Sequence, residues 1–478
     1  MTSKNILSYF DQILTIPRES GHEEHINEFL IKFAIEHNLE YKQDEIGNIL
    51  ITKEATPDRK DAPSIILQVH SDMVCEKNSG VEHDFTKDPI KAVVEDGWLV
   101  AKDTTLGADC GIGIAAALAL LDDKSLSHGK LECLFTISEE TGMDGAFGLK
   151  SGFLTGDILI NLDSEDEGQL FVGCAGGINT SAKFYYTEKN IPENYLTYQL
   201  GFEGGIGGHS GDDIEKERSN AVQLLGRSLF RLFKNCDIDL CYIDGGNKDN
   251  AIAREAHAII AFPKDQLDKI NKIQKDTADE IHDEFSISDP NVQGYFKKVA
   301  NRNKAIDKDT ALNLVLSLIS VPHGVIAMSA AIKGMVETST NLASVKIKED
   351  NVITVVTSQR SDNTSSMLYA ADKVEAAFIL ADAEVSHYGQ YPGWKPKMDS
   401  KILEICKSSY ERLFKQKPIV RSIHAGLECG LILGKYPNLD MISFGPTLRG
   451  VHAPGERLEL ASLDKFNDLL VDVISNCK

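Results

Sequence analysis

The chain is 478 residues long, enough for two or more domains and a large core. Its 42% hydrophobic and 26% charged content are those of a soluble globular protein. A formal net charge of −22 repels phosphate, which argues against nucleic acid and anionic membrane surfaces as partners.

The opening stretch, Met1-Thr2-Ser3-Lys4-Asn5, carries no apolar signal core. No apolar run approaches the length of a membrane span, and the run 112–121 is too short. The nine cysteines are scattered without a Cys-x-x-Cys pair, which predicts a reduced, cytoplasmic setting. Cys75, Cys110 and Cys429 fall near the candidate site and read as small packing residues.

Two amphipathic helices open the chain. Ile6, Tyr9, Phe10, Ile13 and Leu14 recur at helical spacing, with Pro17 as the stop, and Ile26, Phe29, Leu30 and Phe33 mark the second helix. Continuous apolar runs at 65–69, 131–137 and 158–162 predict strands covered on both faces. Residues 111–121 read as a buried helix between them. From about 177 to 391 strands alternate with charged helices, including a hairpin over 345–358 turning at Asp350-Asn351. Asn250-Ala251-Ile252-Ala253 and Asn341-Leu342-Ala343-Ser344 form a weak internal echo. Two copies of one α+β unit would explain the echo, and so would chance. The end of the chain returns to the first theme, with a helix near 426–433, a strand at 441–444 and a helix at 462–475. The expected fold class is α/β: a three-layer catalytic domain, residues 1–176 and 392–478, with a mostly parallel sheet between helices. Residues 177–391 form an inserted α+β lid domain.

In open α/β sheets, ligands gather beyond the carboxyl ends of the strands. His70 follows the first apolar run, Glu139 and Glu140 the second, and Asp163 the third. Asp109 sits in a Gly-rich turn ahead of a helix, and His452 in a loop beyond the last strand. Each has a plain alternative. His70 could cap a strand, Asp72 form a turn, Asp109 cap a helix, Glu139-Glu140 and Asp163 belong to solvated acidic turns, and His452 be satisfied by backbone. Their shared placement outweighs those alternatives. Imidazole and carboxylate are ligands for zinc, and two such ions can share a bridging carboxylate. Cobalt and manganese accept the same donors. In His70-Ser71-Asp72 the Asp can hydrogen-bond the ligand His, fixing its tautomer.

The strings Gln68-Val69-His70-Ser71-Asp72-Met73-Val74, Asp103-Thr104-Thr105-Leu106-Gly107-Ala108-Asp109, Ser138-Glu139-Glu140-Thr141-Gly142 and Asn161-Leu162-Asp163 resemble the di-zinc exopeptidase superfamily. Gly207-Gly208-His209-Ser210-Gly211, His424-Ala425-Gly426-Leu427-Glu428-Cys429-Gly430 and Gly445-Pro446-Thr447 with His452 extend the likeness over essentially the whole chain. The resemblance implies two zinc ions per chain. His70 and Asp163 would hold one, Glu140 and His452 the other, and Asp109 would bridge. Glu139 would be the general base for a metal-activated water, and Asp72 would orient His70. From the lid, His209 would stabilise the oxyanion, while Asn250 and Arg360 would hold the substrate's C-terminal carboxylate or nearby backbone, and Gly426 would contact the same carboxylate. An Arg fork and a helix N-terminus both suit a carboxylate. His209 as a turn residue and Arg360 as a surface ion pair are the plain alternatives, and Glu428 could read substrate or cap structure. Lid closure would accompany turnover.

The resemblance further implies a metal-dependent dipeptidase for small peptides, with Xaa-His dipeptides, carnosine-like ones included, as favoured substrates. Another small amide, such as an N-acyl amino acid or a non-histidine di- or tripeptide, is the alternative within the same chemistry. A non-catalytic peptide- or metal-binding relative would lack Glu139 or a ligand, and none is missing. A doubled lid is compatible with a monomer as well as a homodimer.

Overall fold

In the computed structural model, which describes residues 1–478, the first apolar stripe forms helix α1 (Ser3–Ile13) and buries Ile6, Phe10 and Ile13. The helix ends before Pro17. Helix α2 (Glu24–Glu36) buries Ile26, Leu30 and Phe33. The chain divides into two compact units. One comprises Met1–Gly173, Trp394–Ser422 and Leu427–Lys478; the other comprises Cys174–Gly393 and Ile423–Gly426. The short piece Ile423–Gly426 thus groups with the second unit, apart from the 392–478 stretch in which the sequence reading had placed it.

The first unit is built on an eight-stranded sheet. Its strands are β1 (Glu40–Gln43), β2 (Ile49–Lys53), β3 (Ile65–His70), β4 (Leu131–Thr136), β5 (Ile158–Asn161), β6 (Gln169–Cys174), β7 (Ile419–Ile423) and β8 (Asp440–Ser443), in the order β1-β2-β4-β3-β5-β8-β6-β7. The four central strands, β4, β3, β5 and β8, run parallel. Antiparallel strands flank them. Every residue of β3, β4 and β5 is buried, as continuous apolar runs require when both faces are covered.

Helix α3 (Ala108–Asp122) is apolar all round because it lies between α1 and strands β3 and β4. Its small residues allow a close approach. A Cβ at Gly113 would stand 2.9 Å from both the Leu162 carbonyl oxygen and Val69 Cγ1. Helices α4 (Lys401–Phe414) and α6 (Leu460–Asn476) pack together, and α6 also meets α1. Helix α5 (Glu428–Lys435) starts two residues beyond Gly426. A small four-stranded sheet ends with the pair Leu448–Arg449 and Arg457–Glu459, and His452 lies in the loop between them at φ +60°.

The second unit carries a nine-stranded antiparallel sheet whose main path has eight strands. That path consists of two β-α-β-β-α-β halves. The first takes strands Tyr195–Glu203, Asp239–Gly245, Ala256–Pro263 and Gln293–Lys298, with helices Ala221–Asn235 and Leu267–Glu284. The second takes Gly176–Tyr185, Val336–Lys348, Val352–Ser361 and Glu384–Tyr391, with helices Lys308–Ser320 and Thr364–Leu380. In both halves the spatial order is fourth, first, third, second strand, and the two second strands pair at Asp244↔Lys346 and Gly245↔Val345. The first half is inserted after the opening strand of the second. The unit is therefore duplicated in topology, as an α+β element repeated once.

The echo seen in the sequence marks different places in the two halves. Residues 250–253 precede a third strand, whereas 341–344 lie inside a second strand. These segments touch: Asn341 Nδ2 donates to the Ala251 carbonyl at 2.8 Å. The predicted hairpin is present, with Asp350 and Asn351 both at positive φ between its strands.

Candidate metal centre

His70 is the last residue of β3, and its ring is buried. Its Nδ1 lies 3.2 Å from Asp72 Oδ1. Asp72, itself fully buried, also accepts the backbone N–H of Glu139 at 3.1 Å and of Glu140 at 3.2 Å, and the Ser20 hydroxyl at 2.7 Å. One carboxylate thus orients the His70 ring and pins the turn that follows β4. Burial works against its charge, but His70, Ser20 and that backbone N–H hold the Asp72 carboxyl well below the usual range.

The other side of His70 faces acids. Its Nε2 is 3.1 Å from Asp109 Oδ1 and 3.2 Å from Asp163 Oδ1. The second oxygen of Asp109 is 3.1 Å from His452 Nε2, and that nitrogen is 2.9 Å from Glu140 Oε2. Asp109 therefore stands between the two imidazoles with one oxygen toward each. Hydrogen bonds to Asp109 and Glu140 push His452 up to about 11. Burial raises Asp163 to about 6 against the pull of His70. Glu139 joins this network only through its backbone N–H. Burial pushes its carboxyl well above the usual range, and the negative charges of Asp163, Glu428 and Glu140 add to the effect.

Donor atoms of His70, Asp109 and Glu140 lie within 4.8 Å of one another, as do those of His70, Cys110 and Asp163. The Cys110 thiol donates to the Leu162 carbonyl at 3.5 Å. The cluster suits divalent cations. Two donors on one zinc, at ordinary bond lengths and a tetrahedral angle, stand about 3.3–3.5 Å apart, and the imidazole–carboxylate separations here are 2.9–3.2 Å. Glu140 Oε1 is buried without a hydrogen-bond partner. Asp109, Asp163, Glu139 and Glu140 also outnumber the two imidazoles, so protonating both rings still leaves the cluster short of positive charge.

Two supports escaped the sequence reading. Glu456, four residues beyond His452, accepts N–H groups from the loop Leu106–Asp109. Arg18 donates from Nη1 to the Asp72 carbonyl at 2.6 Å and from Nη2 to the Gly107 carbonyl. The Pro454-Gly455 pair between His452 and Glu456 is a turn signal in the sequence, whereas nothing near Arg18 announces its role.

The second unit gathers a separate group. His209 ends the two-residue strand Gly208–His209, and its Nδ1 accepts N–H from Gly211 at 3.3 Å and Asp212 at 3.2 Å. That leaves the ring proton on Nε2 as a donor. Burial, then the Arg360 charge, hold His209 below its usual pKa. Arg360 is buried; its Nη1 donates to Tyr391 Oη at 3.2 Å, and its Nε has no partner. His424 Nε2 lies 2.8 Å from Ser339 Oγ. A Cβ at Gly426 would come within 3.1 Å of the Tyr391 ring. Asn250 is exposed and enters through its carbonyl, which accepts from Ser210 N–H at 2.9 Å. Tyr391 and His424 were not assigned roles from the sequence.

A mixed α/β scaffold with this histidine–carboxylate cluster at its strand ends defines a metallopeptidase, a hydrolase acting on peptide bonds. The chain belongs to Peptidase family M20/M25/M40, which it matches over residues 66–476. It is 39% identical to the cytosol non-specific dipeptidase of Escherichia coli (strain K12) over 97% of this chain and 96% of that protein. Among solved structures, aminoacylhistidine dipeptidase from Vibrio alginolyticus superposes with a TM-score of 0.92, at 39% identity, covering 98% of this chain and 96% of that one. An aminopeptidase from Bacillus cereus shares the fold at 16% identity, with a TM-score of 0.59 over 100% and 99% of the two chains.

Proposed function

We propose that this protein is a metal-dependent dipeptidase that cleaves the amide bond of short peptides with a free C-terminal carboxylate, Xaa-His dipeptides and carnosine-like peptides being the favoured substrates. The observation that carries the reading is the division between adjacent acids. Glu140 is engaged with His452 at 2.9 Å, while the Glu139 side chain is left out of the ligand network. A general base must be free to take a proton, and a ligand must not be.

Two divalent ions, zinc or else cobalt or manganese, held by His70 with Asp163 and by Glu140 with His452, with Asp109 between them, would polarise the scissile carbonyl and acidify a water. Glu139 takes the proton from the attacking water and returns it to the leaving amine. Asp72 keeps the His70 ring in the tautomer that presents Nε2, and holds the backbone that aims Glu139. The Nε2–H of His209 donates to the oxygen that becomes negative in the tetrahedral intermediate. Arg360, with Asn250 and Gly426, holds the substrate carboxylate; its unpartnered buried Nε supports that role.

One observation favours a broader specificity. Two relatives at the same 39% identity carry different names, one a non-specific dipeptidase and the other an aminoacylhistidine dipeptidase. A panel of Xaa-His, Xaa-Leu and β-alanyl dipeptides, a tripeptide and an N-acetyl amino acid, each with and without chelator, tests both readings. Activity insensitive to chelator, or confined to the N-acetyl amino acid, would overturn the proposal. The likeness to a cytosol dipeptidase supports a cytoplasmic place. Light scattering decides between monomer and homodimer.

A further inference from the structure

A row of buried polar side chains crosses the four parallel strands of the first unit just behind the candidate ligands. Ser164 Oγ lies 2.6 Å from Ser443 Oγ at the end of β8. Ser443 donates to Asn161 Oδ1 at the end of β5, and Asn161 Nδ2 donates to Gln68 Oε1 on β3 at 2.6 Å. Gln68 Nε2 donates to Glu428 Oε2 at 2.5 Å, and the Thr136 hydroxyl, at the end of β4, donates to the same oxygen at 2.7 Å. Gln68 sits two residues from His70, Asn161 two and Ser164 one from Asp163, and Thr136 three from Glu139. Glu428, on the first turn of α5, closes it; this residue is 1% exposed, has no ion-pair partner within 4 Å, and leaves Oε1 without a hydrogen-bond partner.

A buried carboxyl with no ion-pair partner is costly unless it is neutral or serves a neighbour. Burial pushes Glu428 up to about 7. Its accepting oxygen joins the two strands that deliver His70 and the Glu139-Glu140 turn. Register explains why this matters: His70 pairs with Thr136 and Gln68 with Asn161, so one hydrogen-bonded row sets how far each strand end projects.

We propose that Glu428 is a positioning residue, whose carboxyl ties the ends of β3 and β4 together through Gln68 and Thr136 and so fixes the spacing of His70, Glu139 and Asp163. The role is that of an acceptor rather than a charge, and it rests on the dipeptidase reading above. Glutamine at this position keeps an acceptor oxygen for Gln68 and Thr136; alanine removes it. Partners behind metal ligands typically govern affinity or activity by about 10- to 100-fold.

The test uses purified full-length wild type, Glu428→Ala, Glu428→Gln, Thr136→Val and the Thr136→Val/Glu428→Ala double variant. Co2+ is titrated into each apoprotein, and kcat and KM are measured on one dipeptide, with Glu139→Gln as the control. Expected for Glu428→Ala is about 10-fold or greater loss in Co2+ affinity and in kcat, with KM within about 3-fold of wild type. Glu428→Gln stays within about 3-fold in both, and Thr136→Val adds nothing to Glu428→Ala. Wild-type Co2+ affinity and kcat in Glu428→Ala overturn the proposal. So does a Glu428→Gln variant as impaired as alanine, or additive losses in the double variant. If Glu428→Ala does not fold, Thr136→Val carries the test alone, and unchanged Co2+ affinity and kcat in it overturn the proposal. A wild-type protein inactive on every dipeptide defeats the dipeptidase reading instead, while the Co2+ titration still reports on Glu428.

Discussion

Glu456 grips Asp109 through the backbone. Its two carboxylate oxygens accept the N–H groups of Leu106, Gly107, Ala108 and Asp109 at 2.7, 2.9, 2.8 and 3.3 Å. His452, four residues earlier, reaches the Asp109 side chain at 3.1 Å. One loop therefore holds the central carboxylate of the cluster at both its backbone and its side chain. Glu456→Ala would strand buried N–H donors, each worth about 1–3 kcal/mol when unsatisfied. The expected outcome is metal binding weakened by about 10- to 100-fold, with Glu456→Gln in between. Equilibrium dialysis against Zn2+ measures it, and unchanged affinity in the alanine variant refutes the coupling.

Glu139→Gln keeps the size and the backbone N–H given to Asp72, and removes the proton acceptor. Loss of a general base costs about 10²- to 10⁴-fold in kcat. Metal content and KM should stay near wild type, because the Glu139 side chain joins none of the imidazole–carboxylate contacts. Steady-state kinetics with metal analysis on the same sample checks both halves. Full peptidase activity in this variant would remove Glu139 from the mechanism.

Arg360 should read the substrate's free carboxylate. Arg360→Ala is expected to lower kcat/KM for a dipeptide by about 10²-fold, in line with breaking a buried charge pair. The same dipeptide with its C-terminus amidated should be hydrolysed poorly by wild type, and no worse by the variant. An equal loss on both substrates would show that Arg360 serves the fold through Tyr391 rather than the carboxylate.

What the sequence disclosed follows from where the information lies. The parallel strands were legible because burial on both faces leaves near-continuous apolar runs, as in Ile65, Ile66, Leu67 and Val69, which only Gln68 interrupts. The residues immediately after those runs were legible as site candidates because a strand end is a fixed place. Glu456 and Arg18 were not, since each acts on backbone atoms that carry no sequence signature, and Glu428 was visible without its role, since its partners Gln68 and Thr136 lie hundreds of positions away. The doubling of the second unit was suggested by the wrong pair of segments. Asn341 and residues 250–253 share composition at a mutual contact, whereas the true equivalence is one of strand order, which single-sequence patterns do not encode.

His424 supplies a prediction about acid stability. Burial, then the nearby charges of Arg360 and His209, lower it to about 3, well below its ordinary value, so the folded protein keeps this ring neutral. The unfolded chain protonates it below about pH 6.5. Between about pH 6.5 and 3 the unfolded state binds the extra proton, so this residue costs stability progressively as pH falls, at about 1.4 kcal/mol per pH unit. Above pH 6.5 both states are neutral and the residue contributes no slope. His424→Gln leaves a polar group for Ser339 and removes the titration. Relative to its difference at pH 7.5, the variant should gain about 2 kcal/mol on wild type at pH 5, read from urea unfolding of both proteins. Cancelling the common background in this way isolates His424 from the other titrating groups. Parallel pH profiles for the two proteins would mean that the buried ring accepts a proton without cost.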